Sequence, residues 1–141
     1  MRALTESLIA CLGETGPVLM YTTYEEKVIR GLAEMFPDLA DELNDIIGRL
    51  FDLFPIVKAN YYHPDMLGSW SIKAVLPTIN PEMDYKKLEG IKEGTAASGG
   101  FLEAIDPATD MLRKLELEEQ LLRYCKFDTK AMVEIVRFFT K

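Results

Sequence analysis

Tyr124 and Asp128 stand four residues apart near the end of the chain, in a stretch that otherwise reads as an apolar helix. Residues at that spacing share a helix face, so the phenol and the carboxylate are neighbours. Leu121, Cys125, Asp128, Met132, Ile135 and Phe139 recur at intervals of 4, 3, 4, 3 and 4, and Asp128 is the only charge in that seam. A carboxylate on a buried seam costs several kcal/mol unless it is paired, hydrogen-bonded or bound to a metal. Two roles fit. Asp128 is a metal ligand with Tyr124 beside it, or it caps a second helix beginning at Thr129 and Lys130, with Tyr124 merely packed. Glu25 poses the same choice. It heads a stripe with Ile29, Leu32 and Phe36 and directly follows a candidate strand. Metal ligands sit at such places, and so do acidic residues that stabilise a helix N-terminus.

Other side chains carry weaker signals. Trp70, after Gly68-Ser69, could stack a base, although a single loop tryptophan is more often packed. Lys73 could contact phosphate or simply be solvated. His63, the only histidine, excludes a multi-histidine metal site and reads as solvent-facing. Asp52 reads as structural. The glycine-rich run Gly94 to Gly100 lacks the Lys-Ser/Thr ending of a phosphate loop, so nucleotide binding is not expected there.

The elements that must position these residues belong to a globular chain. Its 141 residues, 48% hydrophobic, suffice for one domain with its own core. Net charge is −7, and Lys and Arg are scattered. That argues against tight metal-free binding to a nucleic-acid backbone but leaves room for a metal-dependent nuclease. Cys11 and Cys125 read as small buried hydrophobes in a reducing compartment. No apolar run reaches membrane-spanning length and no leader peptide is expected, so the reading is cytoplasmic with no membrane partner.

Residues 3–12 read as a helix stopped by Gly13 and Gly16. Pro17 to Tyr21 reads as a buried strand. Thr23 with Glu26 has capping-box order, announcing a helix that ends before Pro37. A further helix is expected from Leu39 to Phe54, and a short strand starting at Phe54-Pro55-Ile56-Val57. Tyr61 to Ser69 is a loop. Ser69 or Ser71 caps a short helix ended by Pro77. Asn80-Pro81 turns the chain, Glu93 to Ile105 is helical, and Asp106-Pro107 breaks it. Residues 109–140 form one long helix, or two with a joint near Asp128.

Tyr-x-x-x-Asp at Tyr124 and Asp128 resembles the last motif of tyrosine-type DEDD 3′–5′ exonucleases. Tyr21-Thr22-Thr23-Tyr24-Glu25 resembles their second motif, with Tyr21 where Asn is usual and Glu25 where Asp is usual. Ser71 to Leu76 resembles the Ser-Leu-x-x-Leu helix between them. More narrowly, Tyr24-Glu25, Asp52-Leu53, Tyr61-Tyr62, Gly68 to Pro77, Gly94-Thr95-Ala96 and Tyr124 to Met132 resemble a bacterial domain of unknown function. That domain is assigned to the RNase H-like superfamily and often stands beside RecB-like nuclease modules. Its members usually begin earlier, with strands carrying an Asp-x-Glu motif, and no Asp-x-Glu occurs in these 141 residues.

The resemblance implies an α/β, helix-rich, truncated RNase H-like exonuclease fold with few strands, residues 1–141 being the C-terminal portion of one exonuclease-like domain. It implies metal ligation by Glu25 and Asp128, water positioning by Tyr124, and nucleic-acid contacts from Trp70 and Lys73. The cofactor would be Mg²⁺ or Mn²⁺, held weakly or not at all by this chain alone, because two-metal hydrolysis needs further carboxylates. The implied function is therefore nucleic-acid processing by a domain that is not catalytic alone. The alternative is a non-catalytic binding or regulatory module on the same scaffold. Implied partners are DNA or RNA, and a homodimer mate or a second chain supplying the missing strands, since exposed sheet edges recruit partners.

Overall fold

The computed structural model describes residues 1–141. The chain divides into two compact units, Met1–Tyr61 and Tyr62–Lys141.

The first unit runs α1 (Arg2–Leu12), β1 (Val18–Met20), α2 (Tyr24–Met35), α3 (Ala40–Gly48), β2 (Leu50–Asp52) and α4 (Phe54–Asn60), with a 3₁₀ turn at Pro37–Leu39. The two strands are parallel, Val18 opposite Leu50 and Met20 opposite Asp52. A parallel pair needs a crossover, and α2 and α3 supply it. The inward stripes of α2 (Ile29, Leu32) and α3 (Leu43, Ile46) make the core, onto which Leu8, Ile9, Leu12, Val18 and Leu50 pack.

Arg49 ties this unit together. Its guanidinium donates to the carbonyls of Gly13 at 2.6 Å, Thr15 at 2.9 Å and Gly16 at 3.0 Å, and more weakly to Leu12 at 3.4 Å. Those carbonyls belong to the end of α1 and the turn into β1, where helical partners run out. One planar fork satisfies them and holds α1 against the strand pair.

The expected helix from Leu39 to Phe54 is broken. It stops at Gly48, and Leu50–Asp52 is a strand, because Leu50 has β1 to pair with and Gly48 supports the helix poorly. The strand expected from Phe54 is instead α4. Pro55 sits in its first turn, where a missing N–H costs nothing. Thr23 precedes α2 as expected but makes no side-chain cap, and Glu26 pairs with Arg30 at 2.7 Å instead.

The second unit runs through a 3₁₀ turn at Pro64–Met66, α5 (Ile72–Ile79), a 3₁₀ turn at Tyr85–Lys87, α6 (Gly94–Ile105) and α7 (Met111–Phe139). Its core gathers Leu76, Met83, Tyr85 and Ala131, with Ile72, Ile79, Leu88, Tyr124 and Phe127 against them. α5 runs two residues past Pro77, closed by the Asn80 N–H on the Leu76 carbonyl. α6 and α7 form a helical hairpin whose second helix is capped by Asp110, accepting from the Arg113 N–H at 3.1 Å. Gly100 makes room for Ile91 from the loop before α6, since a Cβ there would lie 2.7 Å from Ile91 Cδ1.

α7 is continuous, so Asp128 caps nothing. Its inward stripe is Leu117, Tyr124, Ala131 and Ile135, rotated from the expected seam because the aromatic rings of Tyr124 and Phe127 turn toward Tyr85. That rotation leaves Cys125 exposed, and Cys11 is exposed on α1, so neither is the buried hydrophobe expected. No helix is long and apolar enough to cross a membrane.

Candidate functional site

The chemistry in the second unit centres on Tyr85. The 3₁₀ turn that presents it is closed by Asp84, whose carboxylate accepts from the Lys86 N–H at 2.9 Å. The ring is 3% exposed. It packs edge-on to Phe127 at 4.8 Å between centroids and tilted to Tyr124 at 6.3 Å. Its hydroxyl donates to Asp128 Oδ1 at 2.5 Å. The half-buried carboxylate on α7 thus has a buried donor, which accounts for its place on an inward-leaning face.

Lys73, at the start of α5, lies over the Tyr85 ring with Nζ 5.8 Å from its centroid. It also faces Glu93 at 3.9 Å, an exposed pair worth little in water. The Tyr124 hydroxyl lies beside Gly94, 4.0 Å from where a Cβ would stand. The structure therefore joins Lys73, Tyr124 and Asp128, three of the residues singled out in the sequence, and adds Tyr85. Trp70 packs against Tyr62 at 6.2 Å. His63 accepts from the Asp65 N–H at 3.2 Å, closing its own turn rather than facing solvent freely.

Glu25 belongs to the first unit, half-buried in the first turn of α2 just beyond β1, with Oε2 shielded from solvent. Beside that strand end, Asp52 Oδ1 accepts from the Thr22 and Phe54 N–H groups, each at 2.9 Å. Thr22 has φ +72°, a left-handed conformation held by that bond. Asp52 is structural, as its sequence setting suggested.

Burial raises the Tyr85 phenol well above its ordinary value, and the Asp128 carboxylate, as acceptor and as charge, pushes it further. Burial also raises Tyr124, followed by the charges of Asp128, Cys125 and Glu93. Tyr21, buried and close to Asp52, is pushed up to about 12. At neutral pH these phenols are donors, not bases. In the unfolded chain tyrosines ionise near about 10. Stability is therefore whole below about pH 10 and falls above it, because the unfolded chain releases protons that the folded chain keeps. The Tyr21 contribution is lost as pH rises from 10 to about 12. Phenolate absorbance is expected to rise together with loss of helical ellipticity. Ionisation of Tyr21, Tyr85 and Tyr124 near pH ~10 with the helices intact would contradict this assignment.

The donor set does not fit a two-metal centre. Asp128 is a single carboxylate with one oxygen taken by Tyr85, and no group of three or more His, Cys, Asp or Glu side chains gathers at ligand spacing. What the cluster offers is a carboxylate fixed by the buried Tyr85, with the Tyr124 phenol one turn away and the Lys73 ammonium over the Tyr85 ring.

A family model described as Domain of unknown function (DUF2779) matches residues 1–71. No curated protein and no solved structure matches.

Proposed function

We propose, from the premise that the chain belongs to the family Domain of unknown function (DUF2779), that it is a nucleic-acid-processing module. Its scaffold resembles that of a DEDD 3′–5′ exonuclease, and it is not catalytic by itself. The observation that carries the proposal is the cluster on α7. Asp128, one turn from Tyr124, is fixed by Tyr85, over whose ring Lys73 lies; Lys73 and the Tyr124 phenol suit a phosphate, and Asp128 would meet it only through a bridging divalent cation. The parallel pair β1–β2 with Glu25 just past β1 agrees with the same scaffold.

Asp128 is the carboxylate that the α7 cluster would contribute to a Mg²⁺ or Mn²⁺ site, and Glu25, in the other unit, is the second acidic residue that the nuclease resemblance assigns to metal. The remaining ligands must come from an Asp-x-Glu strand outside these residues or on a partner chain. Tyr124 would hold a water or a phosphate oxygen by donating its proton, Lys73 would contact phosphate, and Trp70 would stack a base.

The test is digestion of end-labelled single-stranded DNA and RNA with Mn²⁺. The chain alone is expected to leave both intact. With a chain that supplies Asp-x-Glu, shortening from the 3′ end is expected, lost in Asp128→Asn. If no partner restores cleavage, the catalytic ancestry has no bearing on present function. The Tyr85–Asp128 hydrogen bond favours a second reading in that case, a non-catalytic binding module in which Asp128 stabilises the fold.

A further inference from the structure

α7 carries a second apolar stripe that its own fold does not use. Met111 is 69% exposed, Leu115 54%, Leu122 66% and Val133 37%. At about 100° per residue these positions, with Thr129, fall on one line. It lies opposite the buried stripe of Leu117, Tyr124, Ala131 and Ile135. Beside its first half, α6 exposes Phe101 and Ile105, and the two helices flank an apolar groove of about 450 Å³ that includes Met111, Leu115 and Leu122. A surface helix usually shows one apolar stripe, and a second one marks an interface.

The charges beside the stripe identify what covers it. On the flanks of the stripe, Glu118 and Glu119 lie in the first half of α7 and Arg123, Lys126 and Lys130 in the second, while Lys114 also borders the groove. Arg123 pairs with Glu119 at 2.6 Å, whereas no ion pair within the chain uses Lys126, Lys130 or Glu118. Reversing the helix sets Glu118 and Glu119 of one copy against Lys126 and Arg123 of the other. A parallel, in-register pair would instead oppose Glu119 to Glu119 and Lys126 to Lys126.

We propose that this face is a homodimer interface, in which α7 packs antiparallel against α7 of a second copy about a two-fold axis at Leu122. Leu122 then meets the partner's Leu122. Met111 meets the partner's Val133, and Leu115 meets the partner's Thr129. Glu119 stands beside the partner's Lys126 at both ends of the contact. The second half of the partner's helix fills the groove between α6 and α7. An isologous contact of this kind needs one self-complementary patch, which the reversed charge order provides. The stripe is about 33 Å long from Met111 to Val133. With α6 alongside it approaches the roughly 800 Å² per partner of a specific interface. The proposal is independent of the nuclease-like reading.

Sedimentation of the full chain should give twice the chain mass at micromolar concentration. Leu122→Glu is expected to give a monomer whose helical ellipticity and melting are those of the parent. Lys126→Glu should weaken the dimer by about tenfold, and Glu119→Lys added to it should restore association. In a Cys11→Ser, Cys125→Ser background, Leu122→Cys should cross-link to itself on mild oxidation. A monomer at about 100 µM overturns the proposal and leaves the stripe to a different protein. A dimer indifferent to Leu122→Glu, or a charge swap without rescue, overturns it as well.

Discussion

Tyr85→Ala is expected to cost about 4 kcal/mol, the usual loss for a buried aromatic side chain. The ring is 3% exposed, sits in the core with Leu76, Met83 and Ala131, and touches Phe127 edge-on. Tyr85→Phe keeps the ring and removes only the donor to Asp128, so about 1.5 kcal/mol should be lost. Asp128→Ala should cost slightly more, because it strands a buried hydroxyl whereas the half-exposed carboxylate can turn to water. Chemical denaturation of the single and double variants measures the coupling, expected at about 1 kcal/mol. Strict additivity would mean that the short hydrogen bond contributes nothing to the fold.

Arg49→Ala is expected to lower stability by about 3 kcal/mol. The guanidinium serves the carbonyls of Gly13, Thr15 and Gly16 within 3.0 Å, and charge-assisted bonds of this kind count for more than neutral ones. Arg49→Lys should recover little, because an ammonium cannot fan out over several carbonyls as a planar fork does. Protection of the α1 amides in hydrogen exchange should fall with it. Equal stability of Arg49→Lys and the parent would show that charge alone suffices.

Elements set by one local signal are legible in the sequence. Val18–Met20, the helix after Thr23, the Asp106-Pro107 break and the long terminal helix all follow from periodicity and breakers close by. Elements decided by a partner far along the chain are not legible there. The strand Leu50–Asp52 looked like the continuation of a helix because its reason to be extended is β1, thirty-two residues earlier at Val18 opposite Leu50. Arg49 looked like one more scattered cation, since the carbonyls it binds are donated by a loop that only the fold brings near.

The site divides in the same way. Tyr124 and Asp128 were readable from their spacing, but the face they share was misplaced by one step of the helix. Cys125 was assigned inward and is exposed, because the helix is oriented by Tyr85 rather than by the Leu121–Phe139 seam. Tyr85 itself carried no local mark beyond the Asp84 turn. Its role appears only when that turn meets α7, forty-three residues on at Asp128. Lys73 and Trp70, both expected at a nucleic-acid contact, lie apart in their surroundings, Lys73 over the Tyr85 ring and Trp70 against Tyr62.

The family match and the α7 cluster leave one direct test of the proposed function. An isotope-labelled chain is titrated with a short single-stranded oligonucleotide in the presence of Mg²⁺, while amide shifts and oligonucleotide length are followed together. The expected result is shifts at Lys73, Tyr85, Tyr124 and Asp128 with the oligonucleotide intact. Shifts absent from that surface, or an oligonucleotide degraded by the chain alone, would contradict the account.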